Sequence, residues 1–344
     1  MPFFIYRELR EHSPGGGGRN YSTMKIGVVG CGAVGSYYGA QLGRTDAEVW
    51  FLLRSDYDVV RERGVWIHSP RGDWHARPQC AAHPEEIGVC DLVLVALKTT
   101  ANHVLPELLP PLIGPHTTVL TLQNGLGNEA ALARVIPARQ ILGGLCFVCL
   151  NRVAPGVIQH TDHGQIVLGE YERPPEARTF ALAERFQRAG VPCEVTPDLA
   201  RAHWEKLVWN IPFNGLGVAG IAGFDAVIRG EYPPQSGTPT GRCLPTDTLL
   251  ADPRWAGLVR ELMEEVIAAA SALGLPVAAS HADKLLALTR TMGAYRASTL
   301  QDFEKGLPLE LDSLFREPLR QGQAAGVAMP RLQAMCRVLE KLTS

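Results

Sequence analysis

The chain has 344 residues, 46% of them hydrophobic and 20% charged, with a formal net charge of −2. That size suggests two domains with ordinary apolar cores, and the near-neutral balance offers no field to gather nucleic acid or an anionic membrane. No apolar run reaches the roughly 18 residues that mark a membrane span.

Residues 1–23, MPFFIYRELREHSPGGGGRNYST, differ in texture from the rest. Phe3 to Tyr6 is too short for a secretory apolar segment, and a charged stretch and a glycine run follow. The segment reads as a flexible extension, in keeping with an upstream start codon, and Met24 opens the first domain. From there bare apolar runs recur: Ile26–Val29, Ala47–Leu53, Asp91–Leu97, Thr117–Gly125 and Gln140–Leu150. Helical patterns separate most of them. Strands without alternation, spaced by helices, predict a Rossmann-type α/β fold, a doubly wound parallel sheet covered on both faces. Gly156–Glu170 reads as a β-hairpin added to that sheet, and the stretch from Ala177 to Pro197 supplies one more helix and strand. This gives a cofactor-binding domain over 24–196. Long helical patterns then dominate, near 200–220, 255–273, 281–292 and 311–342, and predict an all-α domain over 197–344. Gly230–Asp247, rich in Pro, Gly and Thr, reads as a mobile loop near the cleft with a part in substrate selection.

The string Gly30-Cys31-Gly32-Ala33-Val34-Gly35 follows the first strand and opens a helix. In that context G-x-G-x-x-G has a mechanical meaning. The first glycine makes the turn, the second lets the backbone approach a pyrophosphate, and the third lets the helix pack on the strand. Where an NAD site usually places an acidic residue, just past the second strand, stands Arg54. A guanidinium is a forked, permanent donor suited to a 2′-phosphate, so NADP(H) is the expected cofactor, a surface arginine being the alternative. Lys98 and Asn124 end two later strands, the side of an open α/β sheet where ligands bind, although Asn124-Gly125 is also a common turn pair. Lys206, Asn210 and Asn214 recur every four residues in EKLVWNIPFNGLG and form a polar stripe on an apolar helix, which Pro212 is expected to kink. Eight scattered cysteines read as reduced thiols of a cytoplasmic protein, and Cys146-x-x-Cys149, on a predicted strand, as two buried small residues with no second half of a metal site.

Together KIGVVGCGAVGSYYG, the lysine after LVLVAL, LQNG, the Lys206–Asn210–Asn214 stripe and YRASTLQDFEKGLPLELD resemble the ketopantoate reductase family from Met24 to the C-terminus. The resemblance implies reduction of an α-keto acid, 2-dehydropantoate, by NADPH in a cleft between the two domains, a step of pantothenate biosynthesis. By the same resemblance Lys206 is the general acid, and Asn124, Asn210, Asn214 and Ser298 contact substrate. Lys98, Asn124 and Glu310 lie by the cofactor, with Glu310 also near Lys206. Physical chemistry agrees: hydride arriving at a ketone carbon leaves charge on oxygen, which an ammonium stabilises and protonates. A lysine whose stem lies along the helix surface beside two surface asparagines is the plainer reading of that stripe.

Phe315 and Arg316 stand where the family often has Asn-Gly, and Phe224-Asp225 where it has an asparagine. Both departures leave the exact keto acid open. A sister reductase of another keto acid, a non-catalytic NADPH sensor, and an opine-type or 3-hydroxyacid dehydrogenase are the alternatives. A homodimer is compatible with the sequence, which does not fix oligomeric state or binding order.

Overall fold

A computed structural model of the protein describes residues 23–232 and 241–344. The predicted extension, apart from Thr23, and the centre of the Gly230–Asp247 loop lie outside the described residues.

Ten strands form one sheet: β1 Met24–Val29, β2 Ala47–Leu52, β3 Val65–His68, β4 Trp74–Ala76, β5 Gln79–Ala81, β6 Leu92–Val95, β7 Thr118–Thr121, β8 Ile141–Ala154, β9 Val157–Glu170 and β10 Cys193–Val195. The order is β4-β3-β9-β8-β7-β6-β1-β2-β5, with β10 beside β9. From β5 to β8 every pairing is parallel. The strand order therefore reverses between β1 and β6, and the carboxyl ends of those two strands open the crevice where such sheets bind ligands.

The bare apolar strands follow from this double coverage. Ile26, Val28, Leu92, Leu94 and Leu120 point into one core, with the helices Ala33–Leu42 and Ala177–Arg188 over it. Val29, Val93, Val95 and Val119 point into a second core on the other face. Alternate residues thus face opposite layers, and both layers are dry. Each such side chain contributes about 1.5–3 kcal/mol by leaving water. Gly39 lets the helix Ala33–Leu42 sit close, since a Cβ there would come within 2.6 Å of the Phe51 ring.

Two strand expectations need correction. Gly156–Glu170 is not itself a hairpin: β9 is a single long strand, antiparallel to β8, and the chain turns at Pro155-Gly156 before it. The turn-like Asp162-His163-Gly164 is a bulge, with His163 and Gly164 at positive φ while pairing continues on both sides. The region between β2 and β6 also holds β3, β4 and β5 besides its helices.

Beyond β10 the described chain is helical. Leu199–Ala219 is its central helix, packed against Pro253–Ala272 and Pro330–Leu342 around a third core. Pro212 does not end it: the helix runs from Leu199 to Ala219 without interruption, so the four-residue stripe stays on one face. The expected helix 311–342 is broken. A wide turn at Asp312–Arg316 leads into Glu317–Ala324, Gly326 adopts φ +81°, and Pro330 starts Pro330–Leu342. A left-handed glycine after one helix and a proline opening the next are the usual punctuation. A further helix, Ser298–Glu304, is one that the sequence pattern did not reveal.

Candidate active site

The glycine turn is built as its sequence requires. At Gly30, φ is +98° and a Cβ would strike the backbone of Ala96 and Leu97 at the end of β6. At Gly35 it would lie 2.2 Å from the Gly30 carbonyl oxygen. At Gly32, by contrast, nothing lies within 4 Å. The first and third glycines are thus demanded by the protein itself, whereas the second faces open space. Gly32 also starts the helix Ala33–Leu42 without a side-chain cap and with no acidic residue in its first turn. Free N–H groups, open room and a helix start together fit a pyrophosphate. Cys31 turns its thiol inward, toward the carbonyls of Val28 and Leu52, and burial pushes its pKa up.

Arg54 is exposed just past β2 and forms no ion pair among the described residues. The nearby carboxylate, Asp56, is buried and committed elsewhere. It accepts from the Arg152 guanidinium, with Nε at 2.9 Å, and from the Gly156 N–H at 3.4 Å.

The helical part closes over the ends of β6 and β7. Lys98 Nζ donates to Asp302 Oδ2 at 2.7 Å and to Glu310 Oε2 at 3.3 Å. Glu310 is buried, and its other oxygen accepts the Thr99 N–H at 2.7 Å. Burial pushes the Lys98 ammonium down, but Glu310 and Asp302 together push it up further, so its pKa is raised. The loop after β7 is pinned too: Leu126 N–H bonds the Ser313 carbonyl at 2.9 Å, and a Cβ at Gly125 would lie 2.4 Å from that oxygen.

Lys206 Nζ donates to Asn124 Oδ1 at 2.9 Å and stands 5.5 Å from the centre of the Phe147 ring. Burial lowers its pKa, and the Cys146 thiol and the Glu310 carboxylate offset only part of that. Two turns on, Asn214 Oδ1 accepts from Ser298 Oγ at 3.2 Å and from the Thr299 N–H at 2.9 Å, so it caps the helix Ser298–Glu304. Asn210 lies between them, buried, with no side-chain hydrogen bond among the described residues.

The structure thus joins Lys206 with Asn124, Lys98 with Glu310, and Asn214 with Ser298. It does not bring Glu310 into ion-pair contact with Lys206: the carboxylate belongs to Lys98 and the Thr99 N–H. Asp302, Thr99, Ser313 and Phe147 were not singled out by the sequence. Of these, Asp302 had a signal, lying four residues after Ser298 on the same helix.

Two family models match, Ketopantoate reductase PanE/ApbA over residues 26–173 and Ketopantoate reductase PanE/ApbA C terminal over 239–343.

The chain belongs to the ketopantoate reductase family.

A 2-dehydropantoate 2-reductase of a Nostoc species is 39% identical over 328 residues, 93% of this chain and 96% of that one. The crystal structure of a 2-dehydropantoate 2-reductase from Geobacter metallireducens is 44% identical with a TM-score of 0.83, covering 92% of this chain and 99% of that one. One from Methylococcus capsulatus is 32% identical with a TM-score of 0.81, covering 93% and 96%. A D-mandelate dehydrogenase, 19% identical with a TM-score of 0.77, shares the fold.

Within this ketopantoate reductase family member both departures find partners in the helical half. Phe315 is buried in the helical core, 3.1 Å from where a Cβ on Gly215 would stand, and Arg316 pairs with Asp312 and Glu340. Phe224 packs edge-on against Trp255. All eight cysteines are free thiols, and no group of metal ligands forms among the described residues. No helix of the described chain is long and apolar enough to cross a membrane.

Proposed function

We propose that the chain reduces 2-dehydropantoate to pantoate with NADPH, a step of pantothenate biosynthesis. Residues 24–196 bind the cofactor and 197–344 supply the acid and most substrate contacts. The observation that carries the reading is the Lys206–Asn124 contact, which sets an ammonium from the helical domain over the carboxyl ends of the Rossmann strands. The free thiols accord with a cytoplasmic setting.

The bound nicotinamide supplies the hydride. The protein's part is to hold the ketone and handle the proton. Lys206 gives a proton to the oxygen as charge develops there and is left neutral, and Asn124 Oδ1 keeps the ammonium aimed until then. A pKa below the ordinary lysine value makes that ammonium a readier donor. The free amide of Asn210 and the Ser298 hydroxyl offer neutral hydrogen bonds to hydroxyl or carboxylate oxygens of the substrate. Cofactor choice rests on Arg54: with Asp56 held by Arg152, a permanent cation faces the site rather than a carboxylate, which favours a 2′-phosphate.

A second reading, the same chemistry on a larger apolar keto acid, draws on Phe147, a residue 41% exposed whose ring lies close to Lys206. One experiment separates them: NADPH oxidation across a panel of α-keto acids. The highest kcat/KM is expected with 2-dehydropantoate, and a tenfold higher value for another keto acid would replace it as the substrate.

A further inference from the structure

One turn before Lys206, and on its side of the helix, stands His203. Its Nε2 lies 2.9 Å from Oε1 of Glu129, in the short helix Asn128–Ala133 that follows the Asn124 loop. Both residues are buried. Burial pushes the Glu129 carboxyl up, but the charge and hydrogen bond of His203 pull it down further, so it is held as a carboxylate. β8 makes room for the pair by presenting bare backbone. A Cβ on Gly143 would stand 2.5 Å from Glu129 Oε1 and 2.7 Å from Leu199 Cδ2. The chain segment 124–129 is therefore tied to the central helix twice, by Asn124 to Lys206 and by Glu129 to His203. The proton step uses only the first tie.

We propose that His203 and Glu129 are positioning residues, which clamp the central helix to the loop after β7 so that the Lys206 ammonium meets Asn124 Oδ1. The inference rests on Lys206 being the proton donor. The Lys206 stem is a long, freely rotating chain, and among the described residues Asn124 is its one hydrogen-bond partner. A small slide of the helix along the loop would break that contact. Misplacement of a reacting group by about 1 Å can cost about 10²-fold in rate. The titratable groups facing Lys206 are Cys146 of β8 and Glu310. Tyr171, just past β9, faces Glu129.

The test compares His203→Leu, the double variant His203→Leu/Glu129→Leu, His203→Gln and Lys206→Ala, each by thermal melt, NADPH titration, kcat, KM and the pH profile of kcat/KM. Exchanging both members of a buried pair for apolar residues usually preserves folding, so the double variant guards against the stranded charge in His203→Leu. It is expected to fold, to bind NADPH within about threefold of the parent, and to lose roughly 10- to 100-fold in kcat. The alkaline limb should move to lower pH, because an ammonium deprived of its acceptor deprotonates more easily. His203→Gln keeps an N–H for Glu129 and should restore kcat to within about threefold. A folded double variant with parental kcat and an unmoved alkaline limb overturns the proposal. So does a double variant that cannot fold, since the pair then serves stability alone. Lys206→Ala tells the two levels apart: if it keeps its turnover, the donor assignment fails and takes this inference with it. If it is inactive while the folded double variant is not, only the clamp is refuted.

Discussion

Replacing Lys206 with methionine keeps most of the stem and removes the charge and the proton. The site predicts opposite effects on rate and stability. The lost group is the proposed general acid, worth about 10²–10⁴-fold, or roughly 2.7–5.4 kcal/mol of barrier at 1.36 kcal/mol per tenfold. Stability should not fall. The folded pKa of Lys206 lies below its ordinary 10.5 because burial disfavours the ammonium. A lysine shifted this way costs the fold stability while it is charged; the deficit is full below the folded value, shrinks as pH rises above it, and is gone only above the unfolded value. At neutral pH Lys206→Met should therefore melt at or above the parent temperature while kcat drops at least 10²-fold. For the parent, the alkaline limb of kcat/KM, which reports the free enzyme, should have its midpoint below 10.5. The assays are NADPH absorbance across a pH series and a thermal melt on the same preparations. A kcat within tenfold of the parent, or a limb at or above the ordinary lysine value, refutes the reasoning.

Arg54→Ala should raise the KM for NADPH at least about tenfold, near 1.4 kcal/mol, and leave that for NADH almost unchanged; equal losses with both cofactors would assign Arg54 to the fold. Asn214→Ala removes the cap on Thr299 and the partner of Ser298, so it should lower stability by about 1–2 kcal/mol and raise the keto-acid KM with NADPH binding intact, as denaturant melts and steady-state kinetics will show. Glu170 is buried among Arg173, Arg178 and Thr179. Its pKa is lowered, since these partners outweigh burial. Glu170→Gln should cost about 3–5 kcal/mol, and the parent's benefit from this carboxylate, complete above an unfolded pKa of about 4.3, should be lost as pH falls through the lower folded value. Urea titrations at pH 7 and in acid read both effects.

Much of the Rossmann half was legible because its strands are buried on both faces. Ile26–Val29 or Leu92–Val95 has nothing polar to interrupt it, and the glycine fingerprint follows the first of them. β3, β4 and β5 were not legible: Val65–His68, Trp74–Ala76 and Gln79–Ala81 are short and mix polar with apolar residues. The Asp162-His163-Gly164 bulge carries the same residues as a tight turn, and what separates the two is whether the chain goes on pairing, which is a property of the partner strand. In the site, a spacing of four placed Lys206, Asn210 and Asn214 on one face, but periodicity cannot name partners 80 residues away. Thus Asn214 proved to be tied up in a helix cap, and Glu310 to belong to Lys98.

In the cofactor site proposed above, Gly32 separates foldedness from cofactor binding at a single atom. A methyl group there touches nothing in the protein, and its φ of −75° suits any residue, so a Gly32→Ala chain should express, melt and crystallise like the parent. Screens that rank variants by yield or thermal stability are blind to that position. For the same reason such a chain is a useful scaffold. With its helical half untouched, it would present the proposed substrate residues Lys206, Asn210 and Ser298 to a keto acid without turnover, so that ground-state substrate affinity can be measured at equilibrium, apart from catalysis.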